Sequence, residues 1–411
     1  MKKALILIFT FFSFMFSVNA FELSSKKAVL YNMNENKIIY ELNKDEKTSI
    51  ASLTKIMTTL VAIENIDDYN KKVTINYEML KGLAEENAAV IGLKVGQNVT
   101  YNDLLYGMFL SSGADATKAI AISISGNEKN FVELMNIKAK ELGMLNTHFE
   151  NTVGLDDINH YSTVNDVSIM LRSALKNSKF YEIFSSDSYS FSDKSLIVYS
   201  TFKKTAKMYN YNVNYIIGAK TGFTYDAGKC LASLAIDKEN NIKYLLVTTN
   251  AEINTKDAYH IKDATTIYNY YFQNYKYYNL VKKDQLLLTL PIKYTTKKVN
   301  FYAYNDLNYY YDNTFNSNKI SFKYTGMDLI TQNMKKGTRI GEIEIFYDNE
   351  LVDVINLYLE ENIDSVEFCK EIIQSKNTNI TLLGKNYYCL YKNIKIVINS
   401  YSYTIITAHT I

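Results

Sequence analysis

Residues 52–65, SLTKIMTTLVAIEN, carry a helical period without a polar side. Leu53, Ile56, Met57, Leu60, Val61 and Ile63 cover most of the circumference, and a helix apolar nearly all round is an interior helix. The rest of the chain has to pack around it, and Lys55 goes inside with it. Burial penalises an ammonium and lowers its pKa. Ser52 stands three positions earlier, on the same helical face. A neutral Lys55 is then able to take the Ser52 proton, and the exposed N–H groups of the helix start favour negative charge at that point. The competing reading, a solvated lysine beside a capping serine, fits these apolar surroundings badly.

The elements around this helix show in their own patterns. Residues 28–31 and 37–42 read as the strands of a hairpin. Thr100-Tyr101-Asn102-Asp103 before LLYGMFL has the form of a capping box. That helix stops at Ser111-Ser112-Gly113, and another starts near Asp115. Residues 130–142 and 162–175 are helical in pattern, with a polar loop, FENTVGLDDINHYST, between them. Three strands follow, NYIIGAKTG, KCLASLAI and KYLLVTT, and residues 257–274 return to helix. Strands at both ends with helices between, over residues 21–275, predict an α+β domain in which an antiparallel sheet packs on helices.

Composition shifts after Lys282-Lys283-Asp284, which reads as a solvated linker. Residues 284–363 carry short alternating strands such as QLLLTL, KISFKYT and IGEIEIFY, and predict a small all-β domain. Residues 364–411 form a C-terminal extension with a short amphipathic helix around 367–373 and two or three strands. Its end, KNIKIVINSYSYTIITAHTI, alternates like a strand and carries little positive charge, which leaves at most a peripheral membrane contact. Tyrosine runs such as Tyr309-Tyr310-Tyr311 suit sheet packing, with carbohydrate stacking as the alternative use.

Residues 1–20, MKKALILIFTFFSFMFSVNA, have a basic start at Lys2 and Lys3, an apolar stretch and a small-residue cleavage site, the three parts of an export signal. The apolar stretch is short for a membrane span. The mature chain is expected to begin near Phe21 and to work outside the cytoplasm, in the cell envelope or secreted. Lys and Arg total 45 against 43 Asp and Glu, a net charge of +2, which speaks against a nucleic-acid partner. Export permits disulfides. Cys230 reads as a buried small hydrophobe, while Cys369 and Cys389 stay open as a bridged or an unbridged pair. His148, His160, His260 and His409 make no metal spacing, and no cofactor is expected. His160 reads as a hydrogen-bonder of its loop.

Two further motifs follow Ser52-x-x-Lys55. Ser112-Gly113-Ala114 lies in a turn between helices, a place that presents a hydroxyl to a cleft. Lys220-Thr221-Gly222 ends a strand. Its lysine can hold a carboxylate, its threonine can hydrogen-bond one, and its glycine lets a substrate backbone come close. Each motif is weak alone. In this order they match the signature of penicillin-binding proteins and class A β-lactamases. The chain resembles the low-molecular-mass penicillin-binding proteins, the serine-type D-alanyl-D-alanine carboxypeptidases. The hairpin AVLYNMNENKIIYELN carries the likeness, as do IASLTKIMT, LKVGQNVTYNDLLYGMFLSSGADA, LGMLNTHFENTVGLDDINHYSTVND and GAKTGFTYDAGKCLA. It is strong over residues 27–271 and weak from there to 360.

The resemblance implies a β-lactamase-like transpeptidase domain followed by a β-rich one. It implies removal of the terminal D-alanine from peptidoglycan stem peptides ending in D-Ala-D-Ala, with β-lactams as covalent inhibitors. Ser52 would be the nucleophile, Lys55 its base, and Ser112 a proton relay between Lys55 and Lys220. Lys220, Thr221 and Gly222 would bind the substrate, and the N–H groups of Ser52 and Phe223 would form the oxyanion hole. Three residues depart from the family pattern. Ile50 replaces a proline, Ala114 the asparagine of the second motif, and His260 an arginine that supports carboxylate binding. An arginine is always charged, whereas a histidine mostly is not at neutral pH. An asparagine restored at 114 is expected to speed turnover. These departures keep a second reading open, an impaired fold that binds peptidoglycan or a partner. A β-lactamase fits less well, because no E-x-x-L-N segment follows Ser112 and such an enzyme has no use for so long a C-terminal part.

Overall fold

The computed structural model describes residues 22–254, 256–293, 295–331, 334–363, 365–400, 402 and 405–410. The export signal read at residues 1–20 lies outside them. The chain divides into two compact units, the first ending at Gln273 and the second beginning at Asn274.

The first unit opens with the hairpin β1 (Lys27–Asn32) and β2 (Lys37–Leu42). A turn of 3-10 helix at Ala51–Leu53 runs straight into α1 (Thr54–Glu64). Next come β3 (Lys72–Thr74), α2 (Tyr77–Leu80), β4 (Asn98–Thr100), α3 (Tyr101–Leu110), α4 (Ala114–Ser125) and α5 (Glu128–Glu141). After α6 (Val164–Ala174) and α7 (Ser178–Phe184), the short hairpin β5 (Ser188–Ser190) and β6 (Ile197–Tyr199) leads to α8 (Thr201–Met208). The meander β7 (Ile216–Thr224), β8 (Gly228–Asp237) and β9 (Ile242–Ala251) precedes α9 (Tyr259–Asn274).

Five strands form one antiparallel sheet in the order β2-β1-β9-β8-β7. Strand alternation sends side chains to two covered faces. Val29, Tyr31, Ala232, Leu234, Leu245 and Val247 join the main core with the helices. The opposite face meets α9, where the Tyr268 hydroxyl lies 2.9 Å from Ser233 Oγ and the Tyr271 hydroxyl donates to the Ile39 carbonyl. Every residue of α1 from Thr54 to Ile63 is buried, because α3, α4, α5, α6 and α7 all pack against it. The capping box of α3 is present: Thr100 Oγ1 accepts from the Asp103 N–H and the Asp103 carboxylate accepts from the Thr100 N–H.

The second unit contains β10 (Tyr275–Val281), β11 (Leu286–Pro291), β12 (Lys298–Tyr302), β13 (Leu307–Asp312), β14 (Ile320–Gly326), β15 (Arg339–Tyr347) and β16 (Glu350–Tyr358). These strands share a core that includes Val281, Phe301, Ile343, Ile345 and Leu357. β10, which ends just before the Lys282-Lys283-Asp284 linker, pairs with β13. The aromatic end of α9 runs into this strand without a breaking residue, so only the Lys282-Lys283-Asp284 turn after it stands out. Tyr309 and Tyr311 stack on one another within β13, and both approach Tyr347.

A smaller part follows, α10 (Ser365–Gln374), β17 (Asn379–Leu383), β18 (Asn386–Tyr391), β19 (Ile394–Asn399) and β20 (Ile405–Thr410). It has four strands rather than the expected two or three. Two-residue turns at Gly384-Lys385 and Lys392-Asn393, with Gly384 and Lys392 at positive φ, make hairpins so tight that neighbouring strands blend in the sequence. Cys369 and Cys389 are both buried thiols of its core. No helix among the described residues is long and apolar enough to cross a membrane.

Candidate active site

Ser52 sits in the 3-10 turn, and the backbone before it is unusual. Ala51 holds φ +47 although it is not glycine, a left-handed conformation that carries strain. The loop beneath is cut to fit. Gly154 has φ +91, and a Cβ there would lie 1.9 Å from the Ala51 carbonyl oxygen. Asn151 folds this loop by accepting from the N–H groups of Val153, Gly154 and Leu155. Across from it, a Cβ on Gly222 would meet the Ser52 nitrogen at 3.1 Å. Glycine therefore allows β7, the open edge of the sheet, to pass close to Ser52.

Lys55 is 1% exposed. Its Nζ lies 3.0 Å from Ser52 Oγ and donates to the Val153 carbonyl at 2.7 Å. Burial first, and then the positive charge of Lys220, hold its pKa well below the usual lysine range, with Asp115 opposing. Ser112 also holds a left-handed φ, +59, in the turn between α3 and α4. Lys220 is as buried as Lys55. Its Nζ donates to Ser112 Oγ at 3.1 Å and to the Thr221 carbonyl at 3.0 Å, and burial lowers its pKa to about 7. The Thr221 hydroxyl meets that of Thr201 at 2.8 Å.

Ser52, Lys55, Ser112, Thr221, Gly222 and Phe223 all line one cavity of about 850 Å³, and Lys220 lies behind its wall, bonded to Ser112. The structure thus brings Ser52, Lys55, Ser112, Lys220, Thr221, Gly222 and Phe223 to one place. It adds the Val153 carbonyl, Gly154 and Thr201, for which the motifs gave no signal. Ala114 is fully buried with Leu83 and Val153 and is not on the cavity wall. Its neighbour Asp115 accepts from the N–H groups of Ile91, Gly92 and Leu93, tying that loop to the start of α4. His260 lines the cavity. His160 does not. Its Nδ1 accepts from the Glu150 N–H, so its Nε2 donates to Thr54 Oγ1 at 2.9 Å. It is a buried hydrogen-bonder that ties the loop to α1. Cys230 is fully buried opposite Gly222 on β8, and burial pushes its thiol up to about 12. Among the described residues no His, Cys, Asp and Glu group is placed to hold a metal ion.

A serine hydroxyl beside a buried lysine of lowered pKa, with a second serine–lysine pair across the same cavity, is an arrangement suited to nucleophilic acyl transfer. The chain belongs to the D-alanyl-D-alanine carboxypeptidase family, whose model matches residues 15–253. Residues 275–365 match the penicillin-binding protein 5 C-terminal domain, and residues 347–409 a family described as a protein of unknown function. The D-alanyl-D-alanine carboxypeptidase DacF of Bacillus subtilis is 29% identical over 337 residues, 80% of this chain and 83% of that one. DacC of Escherichia coli, with the same description, is 26% identical over 366 residues, 86% and 87% of the two chains. Penicillin-binding protein 5 of Haemophilus influenzae superposes with a TM-score of 0.61 at 25% identity, over 85% of this chain and 100% of that one.

Proposed function

We propose that this protein is a serine-type carboxypeptidase that removes the terminal D-alanine from peptidoglycan stem peptides through an acyl-enzyme on Ser52. The observation that carries this is the 3.0 Å approach of Lys55 Nζ to Ser52 Oγ by a lysine with almost no solvent contact. Lys55, its hold on a proton weakened by burial and by Lys220, takes the Ser52 proton as Oγ attacks the carbonyl carbon of the penultimate D-alanine. The N–H groups of Ser52 and Phe223 receive the oxyanion. The proton then passes by way of Ser112 to the leaving nitrogen, the C–N bond breaks, and D-alanine departs. Water repeats the attack with the same base and frees Ser52.

Lys220 and Thr221 take the substrate's terminal carboxylate, and Gly222 and the open edge of β7 leave room for its backbone. A β-lactam presents the same carbonyl and carboxylate, and is expected to acylate Ser52. We take residues 21–275 as the catalytic domain, 284–363 as the β-rich domain and 364–411 as an extension. We place the work outside the cytoplasm, on the export signal read in residues 1–20.

The test is to incubate the protein with a pentapeptide ending in D-Ala-D-Ala and measure free D-alanine, with Ser52→Ala alongside. Release by the wild type alone is the expected result. Penicillin labelling of Ser52 without any D-alanine release would overturn the carboxypeptidase reading of this site.

A further inference from the structure

We propose that Asp156 makes this site selective for stem peptides whose residue before the two D-alanines carries a long alkyl side chain ending in an ammonium, with the alkyl part lying on Phe223 and Tyr225. This rests on the carboxypeptidase reading above and adds the substrate class to it.

The direction of the bound peptide follows from β7. In that reading Thr221 meets the terminal carboxylate and the Phe223 N–H meets the scissile carbonyl. The peptide then runs antiparallel to β7 along its open edge, and the residue before the two D-alanines comes to Thr224 and Tyr225. Asp156 stands at that point. The Thr224 hydroxyl donates to Asp156 Oδ1 at 2.7 Å, and the same hydroxyl oxygen accepts from the Ala227 N–H. The carboxylate is thus tied to the end of β7, and among the described residues it has no cationic partner.

Asp156, Phe223, Thr224 and Tyr225 all line the catalytic cavity. Phe223 is 51% exposed and Tyr225 82%, with ring centroids 5.6 Å apart. Two rings held together beside an unpaired carboxylate suit an amphipathic side chain, its stem on the apolar surface and its charged head on the acid. Glu86 is the other acid on the cavity wall and adds to the negative charge. The cations of the cavity are committed to other groups. Lys229 lies opposite Phe223 on β8, but its Nζ donates to the carbonyls of Asn254 and Asp257 at 2.8 Å. Lys55 is held by Ser52 and Val153, and Lys220 behind the wall by Ser112 and the Thr221 carbonyl. An ammonium on the substrate is therefore the charge that Asp156 lacks.

The test measures kcat/KM for D-alanine release by the full chain from N-acetylated peptides X-D-Ala-D-Ala, where X is lysine, Nε-acetyllysine, norleucine or alanine. Lysine is expected to exceed Nε-acetyllysine and norleucine by about fivefold at low salt, and the advantage to shrink in about 0.5 M salt. Asp156→Asn is expected to bring the lysine-to-norleucine ratio close to one, and Asp157→Asn, beyond the cavity lining, to keep it. Norleucine is expected to exceed alanine, and Tyr225→Ala to reduce that gain. Melting curves verify that each variant folds. An Asp156→Asn form that slows on all four peptides alike and keeps the lysine-to-norleucine ratio would show a purely structural aspartate and overturn the proposal. Equal turnover of the lysine and norleucine peptides by the wild type, or of the norleucine and alanine peptides, overturns it too. In each of these cases D-alanine is still released, so the carboxypeptidase reading stands and only this inference falls. No release from any of the four peptides overturns both.

Discussion

The charge on Lys220 suppresses the proton affinity of Lys55, adding to the effect of burial on the same group. The two lysines meet different serines, Ser112 and Ser52, across one cavity. Each therefore influences the other's titration, and the site titrates as a coupled pair. Lys220→Gln removes one cause of the low Lys55 pKa. Lys55 then stays protonated to higher pH, and the acidic limb of the penicillin acylation rate, measured at saturation, is expected to move upward. An unmoved limb would uncouple the two lysines.

Lys55→Arg keeps a positive charge but cannot lose its proton in the working range. Acylation of Ser52 by a fluorescent penicillin is expected to slow by at least ~10²–10⁴-fold, the usual contribution of a general base. Near-normal labelling would move the base role elsewhere.

Gly154→Ala places a methyl against the Ala51 carbonyl and asks alanine for a φ of +91. Since Ala51 directs Ser52, both the fold and the nucleophile's position suffer. A loss of roughly 1–3 kcal/mol in stability, read by denaturant titration, is expected together with slower acylation.

The family pattern suggests that asparagine at 114 would speed turnover. The packing argues the other way. Ala114 is fully enclosed with Leu83 and Val153, and its methyl does not face the cavity. Extra atoms in such a place cost about 1–3 kcal/mol. Ala114→Asn is expected to melt earlier and to gain nothing in kcat/KM for D-alanine release.

His160 supplies a pH signature for the first unit. Burial, the larger cause, lowers its pKa to about 4, with Asp157 opposing. An unfolded histidine titrates near 6.5, so the unfolded state binds the proton first. The stability contributed by neutral His160 is complete above pH 6.5 and is lost as pH falls toward 4, roughly 3 kcal/mol in all. Urea titrations from pH 7 to 4 are expected to show a shallower decline for His160→Gln than for the wild type.

Much of this architecture was visible in the residues. The all-round apolar pattern of residues 52–65 announced an interior helix, and α1 is buried through Ile63. The three motifs named the side chains that meet at the cavity. What stayed hidden was backbone. The carbonyl that binds Lys55 belongs to Val153, and a carbonyl has no residue type. The left-handed φ of Ala51 and Ser112 is likewise imposed by packing, since neither residue favours it. Strands β10 and β13 were missed because they are tyrosine-rich runs with no clean alternation.

The pairing of β1 with β9, Lys27 opposite Thr249 and Asn32 opposite Tyr244, has a consequence for the order of events during synthesis. The opening hairpin finds its sheet partner only after nearly the whole first unit has been made. Until Ala251 is available, α6 lacks β9, and the sheet that carries β7 past Ser52 lacks its middle strand. Such long-range closure is slow compared with local helix formation. Nascent chains shorter than this should remain open and loosely structured, without a reactive serine. With Ser52 as the proposed acylation site, covalent capture of penicillin is expected to count only molecules that have finished folding, which would make the nucleophile a built-in gauge of native protein.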